Sequence, residues 1–280
     1  MNNIIFCIDK NIINLTEYVI KSFFKFNDVE KYKINYLLSD EEKKIHLELD
    51  KIIKKINPKI NVEYKYLYIP DDFNVLLNDI SKKYNNKHVK TFGNKANWSR
   101  FFIEKHFLNL DRILYLDYDI LFCSNMDKIF ENNFNDLPLM AVPYYENAKS
   151  RRKNWNIKNL LITGNIERVN KCLDELKINN DELLNPPYNC GVMFLNLKKI
   201  REINLNEKIK EYLITYLKYG RFHRHSGTQF ICNLLIPKYV HLESIYNVLG
   251  KKMRRNTVIL HFKGYSLPSD DYLKIVKKII

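Results

Sequence analysis

The sequence has no long uninterrupted run of apolar residues. No window of the chain approaches the roughly 18 consecutive apolar side chains that indicate a membrane-spanning helix, so none is predicted. The first residues also lack the basic segment of a secretory signal, and Asp9 ends the first apolar run too early for one. We therefore expect a cytoplasmic protein, which could also lie at the periphery of a membrane.

Residues that form linkers and disulfides are also few. The 280 residues include 7 glycines, 8 prolines and 5 cysteines, and no stretch is rich in glycine, serine and proline. No repeat of about 20 to 50 residues is visible, so we expect a single domain that spans residues 1–280. The cysteines form no C-x-x-C pair, which argues against a zinc site and indicates a reducing compartment.

Acidic residues are fewer than basic ones: 32 aspartates and glutamates stand against 46 lysines and arginines, which gives a formal net charge of +14. Such an excess favours anionic partners: sugar nucleotides, phospholipid surfaces or nucleic acid. The best support for nucleic acid is the cluster at residues 251–255 together with the 19 tyrosines, which could stack on bases. The tyrosines follow strand patterns, however, and no basic stripe or recognition motif is present, so we expect no nucleic acid. A general bias towards lysine, asparagine and isoleucine is an alternative explanation of the charge.

Three segments in the first part of the chain have the pattern of strands. Residues 4–8 and 34–38 are short apolar runs. In residues 62–68, Val62 and three tyrosines alternate with Glu63, Lys65 and Leu67, which predicts a half-buried strand. Each is followed by a helical spacing of apolar residues. This alternation predicts an α/β fold with a mainly parallel central sheet and helices on both faces. Ligands of such sheets collect at the carboxyl ends of the strands.

Two carboxylates interrupt an apolar segment in the middle of the chain. Asp117 and Asp119 lie between the apolar residues 113–116 and 120–122. Burying one unpaired carboxylate costs several kcal/mol, so both are expected at the exit of a buried strand, against a cation. In an extended segment they share a face and can close on one divalent ion. A polar strand end or a turn is the alternative interpretation.

The second half of the chain is less regular. Residues 144–185 are expected to pass over the ligand edge of the sheet. Further predicted elements are helices at 98–107, 127–130, 167–176, 205–219 and 228–235, and strands at 139–142, 192–197, 239–242 and 258–260.

The chain ends in a predicted amphipathic helix at residues 270–280. Its lysines 274, 277 and 278 could contact an anionic membrane or a lipid-linked acceptor. The alternative is a solvated helix that packs Leu273, Val276 and Ile280 against the core.

Four segments, in order along nearly the whole chain, resemble motifs of the family 8 glycosyltransferases. These retaining enzymes of the GT-A fold include glycogenin, bacterial lipopolysaccharide galactosyl- and glucosyltransferases and plant galacturonosyltransferases. The segments are Ile5-Phe-Cys-Ile-Asp9-Lys-Asn11; Trp98-Ser-Arg100-Phe-Phe-Ile with the later Tyr115-Leu-Asp117-Tyr-Asp119; Tyr188-Asn189-Cys190-Gly191-Val-Met-Phe-Leu-Asn196; and His261-Phe-Lys-Gly264.

The resemblance implies a nucleotide-diphospho-sugar donor, most often a UDP-sugar, held with Mn²⁺ or Mg²⁺. The implied metal ligands are Asp117, Asp119 and His261. The implied donor-binding residues are Asp9, Asn11, Arg100, Asp117 and Gly264, with Lys263 as a candidate for a missing phosphate-binding lysine. Asn189 and Gln229 are the candidate catalytic residues beside the donor sugar.

Several positions depart from the family pattern. Thr228 stands where an acid usually precedes the glutamine, and Leu267 stands where a lysine usually grips the diphosphate. An acid near the start of the 144–185 segment corresponds to Tyr144, and an aromatic residue after Asn11 is replaced by Ile12. The metal ligands are therefore complete, whereas the residues that face the sugar differ.

These observations predict a retaining glycosyltransferase that moves a hexose from a UDP-sugar to a glycan, lipid-linked or protein acceptor with Mn²⁺. The alternative is a module of the same fold that binds a sugar nucleotide or glycan without turnover. His223, Arg224 and His225 are interpreted as a solvated basic loop and are left out of the site.

Overall fold

The computed structural model describes residues 1–39, 43–84, 95–144, 155–161, 165–223, 227–250, 253–262 and 267–280. The described strands are β1 (Asn2–Ile8), β2 (Tyr32–Leu38), β3 (Asn61–Tyr66), β4 (Arg112–Leu116), β5 (Ile120–Phe122), β6 (Leu139–Pro143), β7 (Tyr188–Asn196), β8 (Val240–His241), β9 (Val248–Leu249) and β10 (Ile259–His261).

The described α-helices are α1 (Thr16–Phe26), α2 (Lys43–Ile56), α3 (Asp71–Lys83), α4 (Ile103–His106), α5 (Ile166–Glu175), α6 (Leu197–Glu202), α7 (Leu205–Tyr219), α8 (Thr228–Leu235) and α9 (Asp270–Ile279). Short 3₁₀ helices precede several of them, including Lys10–Leu15 before α1 and Lys95–Phe101 before α4.

The central sheet has seven strands in the order β3-β2-β1-β4-β7-β6-β8. The β1/β2, β2/β3, β1/β4 and β6/β8 pairs are parallel, whereas β7 runs antiparallel to both of its neighbours. A smaller sheet has the order β5-β10-β9, in which β10 is antiparallel to β5 and parallel to β9. The predicted α/β fold with a mainly parallel central sheet is therefore confirmed.

The inner strands of the sheet are buried on both faces, as the apolar runs predicted. Ile113 and Tyr115 of β4 join the core on the side of α3, α7 and α8. Leu114 and Leu116 join the core on the opposite side, with α1, α2 and α9. With helices on both faces, the strand ends are the expected place for a ligand.

The helix predicted at residues 98–107 has a different form. The chain follows a 3₁₀ helix through Phe101, and only Ile103–His106 is α-helical. In a 3₁₀ helix residues three apart eclipse each other, and here Trp98 and Phe101 are both buried with ring centroids 5.8 Å apart. The packing of aromatic residues has overridden the α-helical spacing that the sequence suggested.

The C-terminal helix packs on the core, but through a different stripe from the one predicted. Tyr272, Val276 and Ile279 are buried at helical spacing, whereas Ile280 is 42% exposed because it lies beyond the last helical turn. Lysines 274, 277 and 278 are exposed, so membrane contact stays a prediction. Among the described residues, no helix combines the length and apolarity required to cross a bilayer.

Asp127 is expected to stabilise the fold in a pH-dependent way. The Tyr32 hydroxyl donates a hydrogen bond to its carboxylate, and Lys31 Nζ lies 2.8 Å from Oδ2. Burial alone would raise the pKa of Asp127, but hydrogen bonds from Lys31 and Tyr32 outweigh it and lower the pKa below 3.8. Because the folded-state pKa is depressed, the stabilisation is present above pH 3.8 and is lost as the pH falls through the folded-state pKa.

Asp127→Asn should therefore lower the free energy of unfolding by about 1 kcal/mol at pH 7, because an exposed charged pair contributes little more. The difference from the wild type should shrink as the pH falls below 3.8 and disappear below the folded-state pKa, where the wild-type carboxyl is neutral as well. Urea unfolding at several pH values measures both effects, with Asp111→Asn as an exposed control. A difference that does not change with pH would contradict the assignment.

Candidate functional site

A cleft opens at the carboxyl ends of β1 and β4. The two strands are parallel neighbours, and β1 leads into Asp9 and Asn11 whereas β4 leads into Asp117 and Asp119. In the order β3-β2-β1-β4 the chain connections depart on opposite sides of β1, which creates a crevice at this point. The topology thus brings together acidic and amide side chains that lie about 100 residues apart in the chain.

The cleft has a volume of about 440 Å³. Its lining residues include five of the predicted site residues, Asp9, Asn11, Arg100, Asp117 and Asp119, together with Cys7, Ile12, Leu15, Ala96, Asn97, Tyr115, Tyr118 and Leu267. Two other clefts of about 500 Å³ lie elsewhere, beside α2 and beside the start of α7, and their described lining includes none of the predicted site residues.

Asp117, Asp119 and His261 converge at the edge of this cleft. One ligand atom from each lies within 4.8 Å of the others. The segment from Asp117 to Asp119 bends between β4 and β5, so it is not the extended strand that the alternation suggested. Two backbone hydrogen bonds of 2.7 Å hold the bend, from Asp117 N to Gly191 O and from Phe262 N to Asp119 O.

The three side chains fit a divalent cation. His261 is 1% exposed, and its Nε2 makes no hydrogen bond with any described residue although Asp119 Oδ1 lies 3.1 Å away and Asp117 Oδ2 3.9 Å away. Buried polar atoms normally have a partner, and a divalent cation bound between Nε2 and the two carboxylates would provide one.

Burial and charge act in opposite directions on this cluster. Burial disfavours the Asp119 carboxylate, but the combined effects of His261, the backbone N–H of Asp119 and the Arg100 charge outweigh it and lower the pKa of Asp119. Burial likewise disfavours the His261 imidazolium, but the combined effects of Asp119 and Asp117 outweigh it and raise the pKa of His261. The carboxylates thus favour positive charge at the point where a metal ion would bind.

Gly191 provides the space that His261 occupies. A Cβ atom at this position would lie 2.1 Å from His261 Cε1 and 2.9 Å from Asp117 Oδ2, closer than real contacts allow. Glycine is therefore required here by the close approach of two side chains to strand β7. The motif was recognised in the sequence, but this steric role was not.

Arg100 and Tyr115 orient the Asp117 carboxylate. Arg100 Nη2 lies 3.3 Å from Asp117 Oδ1, and its guanidinium stacks over the Tyr115 ring at 5.1 Å. The Tyr115 hydroxyl donates a hydrogen bond to the same Oδ1. Tyr115 was not among the predicted residues, because its partners are distant in sequence or depend on the chain bend after β4.

A row of hydrogen-bonded amide side chains connects Gln229 to His261. Gln229 Oε1 accepts a hydrogen bond from Asn189 Nδ2 at 3.2 Å, and Gln229 Nε2 donates to the Tyr144 hydroxyl at 3.2 Å. Asn189 Oδ1 accepts from Asn247 Nδ2 at 2.8 Å, and Asn247 Oδ1 lies 3.0 Å from His261 Nδ1. The two predicted catalytic residues are thus joined to His261 through Asn247, which the sequence analysis missed.

Other predicted residues lie outside this arrangement. Lys263, Gly264, Arg224 and His225 fall outside the described residues. His223 is described, and its interpretation as solvated is wrong: it is 1% exposed and stacks on Phe230 at 4.0 Å. All five cysteines are free thiols, and three of them are buried.

Several solved structures share this fold. The crystal structure of the galactosyltransferase LgtC in complex with donor and acceptor sugar analogs has a TM-score of 0.68 at 15% identity, covering 99% of this chain and 93% of that chain. The glycosyltransferase GlyE of Streptococcus pneumoniae TIGR4 has a TM-score of 0.60 at 16% identity, covering 100% of this chain and 60% of that chain. These TM-scores show that the structures share the fold of this chain. At such low sequence identities, the similarity shows the fold alone.

Solved structures with lower TM-scores include enzymes named for other activities. Mouse xyloside xylosyltransferase 1 has a TM-score of 0.54 at 13% identity, covering 94% of this chain and 97% of that chain. A search of curated protein sequences found no match. The model of glycosyl transferase family 8, in contrast, matches residues 3–268. The resemblance inferred from the motifs is thereby confirmed: the chain belongs to glycosyl transferase family 8 and is a glycosyltransferase.

Proposed function

We propose that the protein is a retaining transferase that moves a hexose from a UDP-sugar to a glycan, lipid-linked or protein acceptor, with Mn²⁺ or Mg²⁺ bound. The observation that carries this proposal is the cluster of Asp117, Asp119 and His261 at the edge of the cleft between β1 and β4. A metal-ligand set beside a cleft large enough for a nucleotide is the arrangement that diphosphate donors require.

The cluster supports a metal-dependent reaction. Carboxylate oxygens and an imidazole nitrogen suit Mn²⁺, and Asp117, Asp119 and His261 would supply them. A divalent cation bound there would offset the negative charge that grows on the diphosphate as the glycosidic bond breaks. The buried position of His261 keeps that ligand away from bulk water.

The cleft supports a nucleotide donor. Asp9 caps the 3₁₀ helix after β1 by accepting a hydrogen bond from Asn11 N at 2.9 Å, which fixes its carboxylate at the cleft. Asp9 and Asn11 would contact the nucleoside, and Arg100 would add positive charge towards the donor. Lys263 and Gly264 are proposed as phosphate contacts from their sequence positions alone, since glycine lets a backbone approach closely.

Gln229 would face the donor sugar, and Asn189, which is 1% exposed, would orient it through the hydrogen bond from its Nδ2 to Gln229 Oε1. In a retaining reaction without an enzymic nucleophile, the acceptor hydroxyl attacks from the side on which the leaving group departs, and the leaving phosphate takes its proton. The sugar carries positive charge in that transition state, which an oriented amide oxygen stabilises. Because such a reaction needs no carboxylate at position 228, it tolerates Thr228.

The nature of the sugar is a separate question. LgtC is described as a galactosyltransferase, the mouse relative as a xylosyltransferase and Ktr4p of S. cerevisiae as a mannosyltransferase. The fold therefore accommodates several sugars, and Tyr144 beside Gln229 differs from the family pattern. We propose that the transferred sugar is a hexose, without assigning it to a particular hexose.

Calorimetric titration tests the proposal. UDP should bind in Mn²⁺ and not in EDTA, and GDP, CDP and dTDP should bind at least about tenfold more weakly, a difference of about 1.4 kcal/mol. On the same sample, one member of a panel of UDP-sugars should release UDP slowly in water. Metal-dependent binding without release from any sugar would favour the non-catalytic module, and absence of nucleotide binding would overturn the proposal.

A further inference from the structure

A chain of buried amides connects the backbone of β7 to His261. Asn247 follows the 3₁₀ helix Ser244–Tyr246 and is 0% exposed, and Asn189 is 1% exposed. Asn189 Oδ1 accepts two hydrogen bonds, from Gly191 N at 2.9 Å and from Asn247 Nδ2 at 2.8 Å. The other polar atom of the Asn247 amide, Oδ1, lies 3.0 Å from His261 Nδ1.

The backbone N–H of Gly191 determines which atom donates and which accepts in each of these hydrogen bonds. The oxygen and nitrogen of a side-chain amide have nearly the same shape, so their assignment depends on partners of known role. The backbone N–H of Gly191 can only donate, so it must meet the oxygen of Asn189. The group of Asn247 that approaches this oxygen must then be its NH₂, which turns Asn247 Oδ1 towards His261.

This direction determines where the imidazole carries its proton. An oxygen at 3.0 Å accepts from Nδ1, so the neutral ring is the Nδ1–H tautomer and its lone pair lies on Nε2. Nε2 is the atom that faces Asp117 and Asp119. We propose that Asn247 is a positioning residue that holds His261 in the tautomer able to bind a metal, an inference that rests on the proposed metal site.

Loss of the amide would release this constraint. In the wild type Asp119 Oδ1 lies 3.1 Å from Nε2 but outside hydrogen-bond geometry. In Asn247→Leu the ring has no acceptor at Nδ1 and is free to turn, so that Nε2–H can donate to Asp119 Oδ1. The Nε2–H tautomer has no lone pair for the cation. Mutation of residues that orient a metal-ligating histidine typically costs 10–100-fold in affinity, and we expect a loss of about that size for Mn²⁺.

Two variants at this position separate the orienting role from simple packing. Asn247→Leu removes acceptor and donor, whereas Asn247→Asp keeps an acceptor for Nδ1–H. Nitrogen-15 NMR of the metal-free protein, at a pH where the histidines are neutral, should show Nδ1–H for the wild type and Asn247→Asp, and Nε2–H for Asn247→Leu. His261→Gln identifies the signals, and Mn²⁺ affinity is measured by electron paramagnetic resonance.

Asn35→Leu is the matched control for removal of a buried asparagine. Asn35 lies on β2, is 0% exposed and donates to Ile4 O at 2.9 Å, so its loss should reduce stability and leave Mn²⁺ affinity unchanged. An equal loss of affinity in both leucine variants, or an Asn247→Leu variant with the wild-type tautomer and affinity, would overturn the inference.

The experiment also distinguishes this inference from the proposed function. A wild type that binds no Mn²⁺ would overturn the metal-dependent function and with it the role of Asn247 in metal binding. The NMR spectra would still decide whether Asn247 sets the tautomer of His261, because they need no metal.

Discussion

Gly191→Ala is expected to abolish Mn²⁺-dependent UDP binding and to reduce sugar transfer by at least about 100-fold. The added methyl group would lie 2.1 Å from His261 Cε1 and 2.7 Å from Nδ1, so the ring must move by more than about 1 Å to reach ordinary contact. Metal–ligand distances tolerate only about 0.2 Å. The displaced ring would also push on Asp117, the second predicted ligand.

The loss should exceed what reduced stability explains. Crowding a packed core costs about 1–3 kcal/mol, which is within reach of a folded protein, and circular dichroism with urea unfolding measures it. Gly220→Ala is the control: Gly220 caps α7 at φ +79, so alanine there is strained, and its Cβ would meet Tyr84 and no residue of the cluster. Wild-type binding of UDP by Gly191→Ala would show that His261 does not need its present position.

Asp119→Asn is expected to weaken metal-dependent UDP binding by about 100-fold or more, or about 2.7 kcal/mol. The amide carries no charge, so the cation loses one of two carboxylates and His261 loses the partner 3.1 Å from its Nε2. At a Mn²⁺ concentration 100 times the wild-type dissociation constant, the wild type gains about 2.7 kcal/mol of stability. The variant should gain almost none.

Thermal unfolding with Mn²⁺ and with EDTA measures this difference directly. Asp127→Asn is the matched control, because it makes the same chemical change at a site joined to Lys31 and Tyr32, away from the cluster. It should keep the full stabilisation by Mn²⁺. Unchanged UDP affinity of Asp119→Asn in Mn²⁺ would disprove the metal assignment.

Helices and strands whose apolar residues recur at regular spacing were predictable from the sequence. Helix α7 spans the predicted residues 205–219, because Ile209, Leu213 and Tyr216 mark one face and Gly220 ends the helix. Strand β7 was predicted to begin at residue 192 but begins at Tyr188. Proline and asparagine suggested a turn there, whereas burial of the strand and its pairing with β6 at Pro143 decide the outcome.

The candidate site was predictable only where the chemistry is local. Asp117 and Asp119 stand out because carboxylates interrupt a buried run, and His261 came from the family motif. Asn247 has no such signal, since one asparagine in an irregular segment is common and its role depends on contacts with Asn189 and His261 in the fold. Gly191 was visible as a motif residue, yet the distance that requires glycine is a property of the assembled structure.

The pairing of β10 with β5 sets the order in which the protein can mature during its synthesis. Strands β1 to β4 are complete once residue 116 has been made, whereas His261 follows Asp119 by about half of the chain. A nascent chain that stops before β10 carries both carboxylates but lacks the histidine and the Phe262 amide that holds Asp119. The proposed metal site therefore cannot be complete before the chain has been translated through β10, and a cation bound there would mark a chain that has reached that strand.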